Sequence, residues 1–204
     1  MPAWLAALLT RKMLICVFTG FSSGLPLYLL LNLLPAWLRS EGISLKAIGL
    51  LALIQLPYTW KFLWSPLLDR FTVPGFGRRR GWMLLTAGML LLAIGSLGTF
   101  SPVGLVAPVI EWRSAWGFEI LPVPDWSSVG AFVTHPVTAT CLCVALFSAT
   151  QDIALDAFRR EILSDHELGL GNAVHVNAYR IAGLIPGSLS LILADRLPWN
   201  EVFW

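Results

Sequence analysis

Long apolar stretches dominate this sequence and restrict what the chain can fold into. An α-helix needs about 20 mostly apolar residues to cross a bilayer. Five segments reach that length, roughly residues 13–34, 48–67, 82–100, 137–157 and 173–194, and a sixth starts at Trp199. The period-two alternation of membrane barrels is absent, so the spans are predicted to be helices. We therefore predict an all-α membrane protein.

Composition excludes several other classes of protein. The chain is 56% apolar and 13% charged, with a mean hydropathy of +0.72, which does not fit a soluble domain. A net charge of +2 is too small for a nucleic-acid binder. Cys16, Cys141 and Cys143 lie in apolar stretches and have neither disulfide nor zinc spacing. We therefore expect three buried cysteines, no metal site and no cofactor.

Basic residues predict the orientation of the spans. Positions on one side are Arg11, Lys12, Arg70, Arg78, Arg79, Arg80, Arg159 and Arg160, and those on the other are Arg39, Lys46, Arg113 and Arg196. Lys and Arg are enriched in cytoplasmic loops. The predicted topology therefore places the amino terminus in the cytoplasm. It also makes residues 101–136, rich in Pro and Trp, a long external loop.

This external segment has two interpretations. It is either a tolerated insertion, which loop tips accept readily, or an ordered cap over an external opening. A cap would hold Glu111, Trp112, Trp116 and Trp126 near a substrate. The insertion is the favoured interpretation.

Ionisable residues inside the spans are the candidates for function, because a charged side chain at mid-membrane costs a few kcal/mol or more. Lys61, Asp152, Asp156 and Arg180 are such residues, and Gln151 adds a hydrogen-bonding group beside the aspartates. All four lie in the predicted cytoplasmic half. Asp152 and Asp156 are one helical turn apart and share a face. The sequence therefore predicts a neutral cluster of two acids and two bases.

Such a cluster allows two functions. A desolvated carboxylate with a movable basic partner can take up and release a proton, which would couple protons to transport. Alternatively, the bases simply neutralise the acids and fix the bundle. We favour proton coupling for Asp152 and a structural ion pair for Asp156. Tyr179, one turn from His175, is a candidate for the substrate path, although polar residues in a bundle more often join helices.

Enzymatic chemistry has little support in these residues. Two aspartates that share a proton converge from facing elements, whereas Asp152 and Asp156 project from one helix about 6 Å apart. Serine hydrolase and zinc protease motifs are absent from the sequence. We therefore predict that the protein is not an enzyme.

Glycines predict close helix packing in two places. Gly20 and Gly24 in the first span, and Gly183 and Gly187 in the fifth, have the spacing that lets membrane helices approach each other. This spacing is common in helical membrane proteins and does not identify a function.

The loop after the second span carries a more specific pattern. It reads Ser-Pro-Leu-Leu-Asp-Arg-Phe at 65–71 and Gly-Arg-Arg-Arg-Gly-Trp at 77–82, so Asp69 and Arg70 precede Arg78, Arg79 and Arg80. It resembles the cytoplasmic gating loop of the major facilitator superfamily. Ser65 replaces the leading glycine of that pattern, and residues 72–76 are additional. Asp69 is expected to accept hydrogen bonds from basic residues and from amides at the start of the next helix.

Five blocks in order extend this resemblance. They are residues 20–27 (GFSSGLPL), 61–70 (KFLWSPLLDR), 77–82 (GRRRGW), 149–157 (ATQDIALDA) and 179–195, which begins Tyr-Arg. The chain resembles the AmpG-type muropeptide permeases, a branch of the major facilitator superfamily, over most of residues 11–204 apart from 101–136. Gln151, Asp152, Asp156 and Arg180 occupy matching positions.

The resemblance implies a function and a fold. It implies import of anhydromuropeptides across the bacterial inner membrane, driven by protons, for peptidoglycan recycling. It also implies that the chain is an incomplete amino-terminal half of a two-half helical bundle, with five spans and the start of a sixth. The chain would then be a fragment of a longer protein, one piece of a split transporter or a degenerate remnant. Such transporters work by rocking two halves about a central site, so a carboxy-terminal half, in the same gene product or in a second chain, is an expected partner, beside substrate, protons and lipid. A transporter of another small solute and a non-transporting scaffold or regulatory fragment remain alternatives.

Overall fold

The computed structural model describes residues 9–73, 75, 77–115 and 118–204. Within this part of the chain, four helices are long and apolar enough to cross a membrane: Arg11–Ser40, Arg79–Leu97, Pro136–Ile162 and Leu168–Ala194. They coincide with the predicted first, third, fourth and fifth spans. The prediction of an all-α membrane protein is confirmed for the segments that cross the membrane.

Eleven helices are described within these ranges. In chain order they are α1 (Arg11–Tyr28), α2 (Leu34–Ser40), α3 (Leu45–Leu51), α4 (Leu56–Trp60), α5 (Ser65–Arg70), α6 (Arg78–Leu97), α7 (Trp126–Thr134), α8 (Pro136–Ile162), α9 (Leu168–Ala182), α10 (Ser190–Ala194) and α11 (Trp199–Phe203). A π-helical turn at Leu29–Leu33 joins α1 to α2, and a second at Ile185–Leu189 lies between α9 and α10. The first and fifth spans each contain one of these turns.

The predicted second span is divided into short pieces. Helices α3, α4 and α5 are separated by 3₁₀ turns at Ala52–Gln55 and Lys61–Leu63. Pro57 and Pro66 lie in the first turns of α4 and α5, where a missing N–H does least harm and the preceding helix ends. This segment is not one of the four continuous spans, so a count of five stays a prediction.

The external segment contains the strands found in the described ranges. β1 (Ile110–Ala115) and β2 (Phe118–Pro124) pair in an antiparallel hairpin. Asp125 then caps α7, because its carboxylate accepts from the amides of Ser127 and Ser128. Trp116 lies outside the described residues, as do the side chains of Glu111 and Trp112, and Trp126 is exposed. The choice between insertion and cap therefore stays open.

Helices α1 and α9 pack closely against each other. A Cβ atom added at Gly20 would meet the His175 carbonyl oxygen, and one at Gly24 would meet the Tyr179 carbonyl oxygen. At Gly183 an added Cβ would lie 2.8 Å from the ring of Tyr28. The predicted role of these glycines in close helix approach is confirmed.

The cysteine prediction is correct for two residues and wrong for one. Cys16 and Cys141 are buried, whereas Cys143 is exposed. Two residues along a helix turn a side chain by about 200°, so Cys143 lies on the opposite face of α8 from Cys141.

Candidate functional site

The break in the second span places Lys61 beside the fourth span. Lys61 begins the 3₁₀ turn after α4, and its Nζ lies 3.7 Å from Oδ2 of Asp152 and 3.9 Å from Oδ2 of Asp156. The Asp152 side chain is 12% exposed and that of Asp156 is 50% exposed. One lysine therefore faces two acids in different environments, the inner one nearly dry and the outer one accessible.

Two serines of α1 complete the inner part of this cluster. Ser23 donates a 2.5 Å hydrogen bond to Oδ1 of Asp152, and Gln151 donates a 2.7 Å hydrogen bond from Nε2 to Ser22. Sequence reasoning missed both serines as site residues. The available signal was their position between Gly20 and Gly24, because helices that approach closely there bring short polar side chains within reach of the neighbouring span.

Arg159 is the second base at the cluster. Its Nη2 lies 2.9 Å from Oδ1 of Asp156, one turn along α8. Lys61, Arg159, Asp152 and Asp156 therefore balance two positive and two negative charges. Arg180, which was expected as the second base, is exposed on α9 and has no ion pair or side-chain hydrogen bond within the described ranges. Arg159 takes the place expected of Arg180 because it lies on the same helix as the aspartates.

Tyr179 lies on α9 next to the first span. Its ring packs on that of Tyr28, with centroids 5.5 Å apart and an interplanar angle of 59°. His175, one turn away, is buried, with Nδ1 3.4 Å from Oγ1 of Thr19. His175 therefore joins two helices, whereas Tyr179 contributes to a half-buried aromatic pair.

Two buried hydroxyls near this level lie close to each other and have no other hydrogen-bond partner within the described part of the chain. They belong to Tyr58 on α4 and Ser148 on α8. Ser148 is one helical turn from Asp152 and shares its face. Even as a pair they leave hydrogen-bonding capacity unused, and unused capacity in a buried polar group costs free energy. The pair can therefore bind a water molecule or a polar solute.

The predicted gating loop forms ion pairs at the end of the bundle. Nη1 of Arg79 lies 2.6 Å from Oδ1 of Asp69, and its Nε lies 2.9 Å from Oε1 of Glu161 on α8. Arg79 therefore joins the ends of α5, α6 and α8. The sequence suggested the partner Asp69 but gave no signal for Glu161, which is distant in the chain.

The other loop arginines have different surroundings. Arg70 ends α5 and is exposed. Arg78 begins α6, but its side chain lies outside the described residues. Arg80 lines a groove on another side of α6. Only Arg79 among the described loop arginine side chains bridges three helices.

A second ion pair at this end joins α1 to the loop before α9. Nζ of Lys12 lies 2.6 Å from Oε2 of Glu167. Ser164 donates to the same carboxylate through its amide and its hydroxyl. These donors, Lys12 first, hold the pKa of Glu167 at about 2, below its ordinary value of 4.5.

The depressed pKa of Glu167 predicts a pH-dependent contribution to stability. A carboxylate whose folded pKa is lowered stabilises the fold fully above its unfolded value. The contribution should be lost as pH falls from about 4.5 towards about 2. Thermal unfolding in detergent compares the wild type with Glu167→Gln. At pH 6 the wild type should unfold at a higher temperature than the variant, and this difference should disappear as pH falls through this window. Asp165→Asn, at a 97% exposed side chain, is the control, and a pH-independent difference would contradict the assignment.

Potential metal ligands do not cluster within the described ranges. No group of three or more His, Cys, Asp or Glu residues there could hold an ion. The cluster around Asp152 can exchange a proton or bind a polar solute, because it offers a carboxylate, a lysine and hydroxyls at one place.

Comparison with known proteins gives the family. The family model described as Acetyl-coenzyme A transporter 1 matches residues 12–185. An uncharacterized protein of Haemophilus influenzae is 50% identical over 194 residues, which cover 95% of this chain and 39% of that protein. The Anhydromuropeptide permease of Escherichia coli K12 is 39% identical over 191 residues, covering 93% of this chain and 33% of the permease. The chain thus spans two fifths or less of the length of these relatives, and it belongs to the Acetyl-coenzyme A transporter 1 family.

Proposed function

We propose that this chain forms the amino-terminal part of a proton-coupled importer of anhydromuropeptides in the bacterial inner membrane. The substrate comes from the printed name of the Escherichia coli relative. The observation that carries the mechanism is the contact of Lys61 with Asp152 and Asp156 between spans. Two carboxylates that compete for one lysine provide a group whose protonation changes a contact between helices.

The proposed proton coupling uses this arrangement. Protonation of Asp152 removes its attraction to Lys61, which then keeps Asp156 as its acidic partner. Ser23 retains a hydrogen bond to the neutral acid. The second span can then shift relative to α1 while Lys61 keeps its contact with Asp156 on α8, so no charge is left unpaired in the membrane, which would be costly. Movement of one proton is thereby tied to movement of one helix.

Substrate recognition is proposed for the neighbouring groups. The hydroxyls of Tyr58 and Ser148, the amide of Gln151 and the ring pair of Tyr28 and Tyr179 offer hydrogen bonds and aromatic surface. Sugar rings bearing hydroxyl and acetamido groups match this chemistry. Arg180, exposed on α9, is proposed to meet an anionic group of the substrate or of the second half.

Orientation and gating complete the proposal. The end of the bundle that carries the Arg79 ion pairs is assigned to the cytoplasm, because the basic residues concentrate there. Asp69, Arg79 and Glu161 would hold the inner ends of α5, α6 and α8 together until the halves rock. The hairpin segment at 101–136 is proposed to be an external insertion.

The test is uptake of labelled anhydromuropeptide into vesicles that are acidic outside and negative inside. One preparation carries this chain alone, and the other carries a full-length counterpart that includes the segments the relatives add. We expect uptake by the full-length form and its loss when a protonophore collapses the gradient. No uptake by the full-length form would reject the substrate. Uptake by the full-length form alone would show that this chain requires its partner half.

Acetyl-coenzyme A is the second candidate substrate, because the matching family model carries that description. Its phosphates are strongly anionic, and Arg180 is the exposed base on α9. The same vesicles, offered labelled acetyl-coenzyme A, distinguish the two candidates. Absence of uptake of both solutes would favour a scaffold or regulatory role.

A further inference from the structure

Two elements of the external segment are bound to each other at both ends. One is the chain at 102–109, and the other is helix α7. Nε2 of His135, just after α7, lies 3.3 Å from the carbonyl oxygen of Val103. At the other end, Oγ of Ser128 accepts a 2.9 Å hydrogen bond from the amide of Val109. Residues 102–109 therefore run antiparallel beside α7, and we call the two elements together the external platform.

The external platform is continuous with the spans at the end of the bundle opposite the Arg79 ion pairs. It follows α6, which ends at Leu97, and it precedes α8, which begins at Pro136. Leu105 and Phe132 of the platform are buried in the same apolar cluster as Leu97. The platform is therefore fixed at the level where the third and fourth spans end.

The other side of the platform is apolar and exposed. Positions along residues 102–109 repeat every three residues. The buried ones are Pro102, Leu105 and Pro108, and the exposed ones are Val103, Val106 and Val109. On α7, Trp126 is 74% exposed and Val133 is 46% exposed. These two residues are about two helical turns apart and share a face. Both elements of the platform thus present apolar side chains outward.

The sequences of both platform elements contain no charged residue. The external segment has four, and all of them lie between the two elements, at Glu111, Arg113, Glu119 and Asp125. A helix with apolar residues on opposite faces is typical of burial in protein or lipid. A contiguous exposed apolar surface marks a contact with protein or membrane. Tryptophan, here Trp126, is enriched at the membrane–water interface.

We propose that the external platform lies in the interfacial region of the bilayer, with Val106, Trp126 and Val133 among the lipid headgroups and upper acyl chains. The bilayer is the partner at this level, because the platform joins two spans that lipid surrounds. Its depth is limited, since irregular backbone cannot face the hydrocarbon core. Interfacial segments typically enter by about 5–10 Å. The proposal concerns membrane contact and does not depend on the transported solute.

Electron paramagnetic resonance of spin labels tests this placement. The full-length counterpart is reconstituted in vesicles of phosphatidylcholine and phosphatidylglycerol. A label is attached at Val106→Cys or Val133→Cys, after the exposed Cys143 and any other exposed cysteine are replaced by serine. Collisions with oxygen, which partitions into lipid, are compared with collisions with a water-soluble nickel chelate. We expect oxygen to dominate at both positions, at a depth of about 5–10 Å.

Two further labels provide the reference values. Leu85→Cys, at an exposed position on α6 about 18 Å inward of Leu97, should report the hydrocarbon core. Glu41→Cys, at an exposed position just after α2 and at the same end of the bundle as the platform, should favour the nickel chelate.

Two results at Val106 and Val133 would overturn the proposal. Access of the nickel chelate equal to that at Glu41 would place the platform in water. Low access of both reagents would show that protein covers this side, either a second copy of the chain or the other half of a transporter.

Discussion

Replacing Asp152 by Asn is expected to abolish proton-coupled uptake while leaving membrane insertion intact. Asn preserves the size of the side chain and can still hydrogen-bond to Ser23, but it carries no titratable proton. It also removes the charge that Lys61 faces at 3.7 Å. A positioned proton-transfer group typically contributes a rate factor of about 100 or more, so we expect a loss of at least that size.

The measurement compares uptake driven by a pH gradient with exchange of labelled for unlabelled substrate at equilibrium. The variant is made in the full-length counterpart, with the exposed Asp165→Asn as the control. Loss of gradient-driven uptake with retained exchange would identify Asp152 as the coupling group. Gradient-driven uptake at the wild-type rate would assign Asp152 a packing role and remove the proposed mechanism.

Adding one methyl group at Gly20 or Gly24 is expected to destabilise the bundle strongly. An alanine Cβ there would collide with the carbonyl oxygens of His175 or Tyr179. Backbone atoms of a packed helix cannot move aside as a flexible side chain can, so α1 and α9 must separate. Overpacking typically costs 1–3 kcal/mol, and we expect about 3 kcal/mol for either substitution because the obstacle is backbone.

The matched control is Gly169→Ala on α9. No atom within the described ranges lies near an added Cβ at Gly169, so the substitution should be neutral or stabilise by up to about 1 kcal/mol through helix propensity. Unfolding by sodium dodecyl sulfate, followed by circular dichroism, compares the three variants. Equal stability of Gly20→Ala and Gly169→Ala would contradict the close approach of α1 and α9.

The spans show how far local sequence predicts this fold. The first, third, fourth and fifth spans were predicted because each is a continuous apolar segment long enough for the bilayer. The second was predicted as a span of the same kind, but Pro57 and Pro66 divide its helix. The prolines were visible in the sequence. The 3₁₀ turn that places Lys61 beside the aspartates depends on packing against α8, which the sequence does not reveal.

The candidate site shows the same limit. Lys61, Asp152 and Asp156 were identified because charges are costly inside a membrane, and the structure brings them together. Other parts of the site could not be predicted, because they depend on how neighbouring helices are rotated. These are the presence of Arg159 rather than Arg180 as the second base, and the contacts of Ser22, Ser23 and Glu161. Apolar helix faces are similar in composition, so composition does not fix that rotation.

The sequence by itself determined that this chain is a helical membrane protein. The length of an apolar segment, and the free energy of burying a charged side chain in it, are both properties of that one segment. It also determined which side chains cost free energy when they are buried in the membrane. The tertiary structure alone decided which of them meet. Gly20 and Gly24 let α1 approach α9, and α1 then brings Ser23 to Asp152. Such contacts join residues far apart in the chain, and their geometry depends on packing that no single segment encodes.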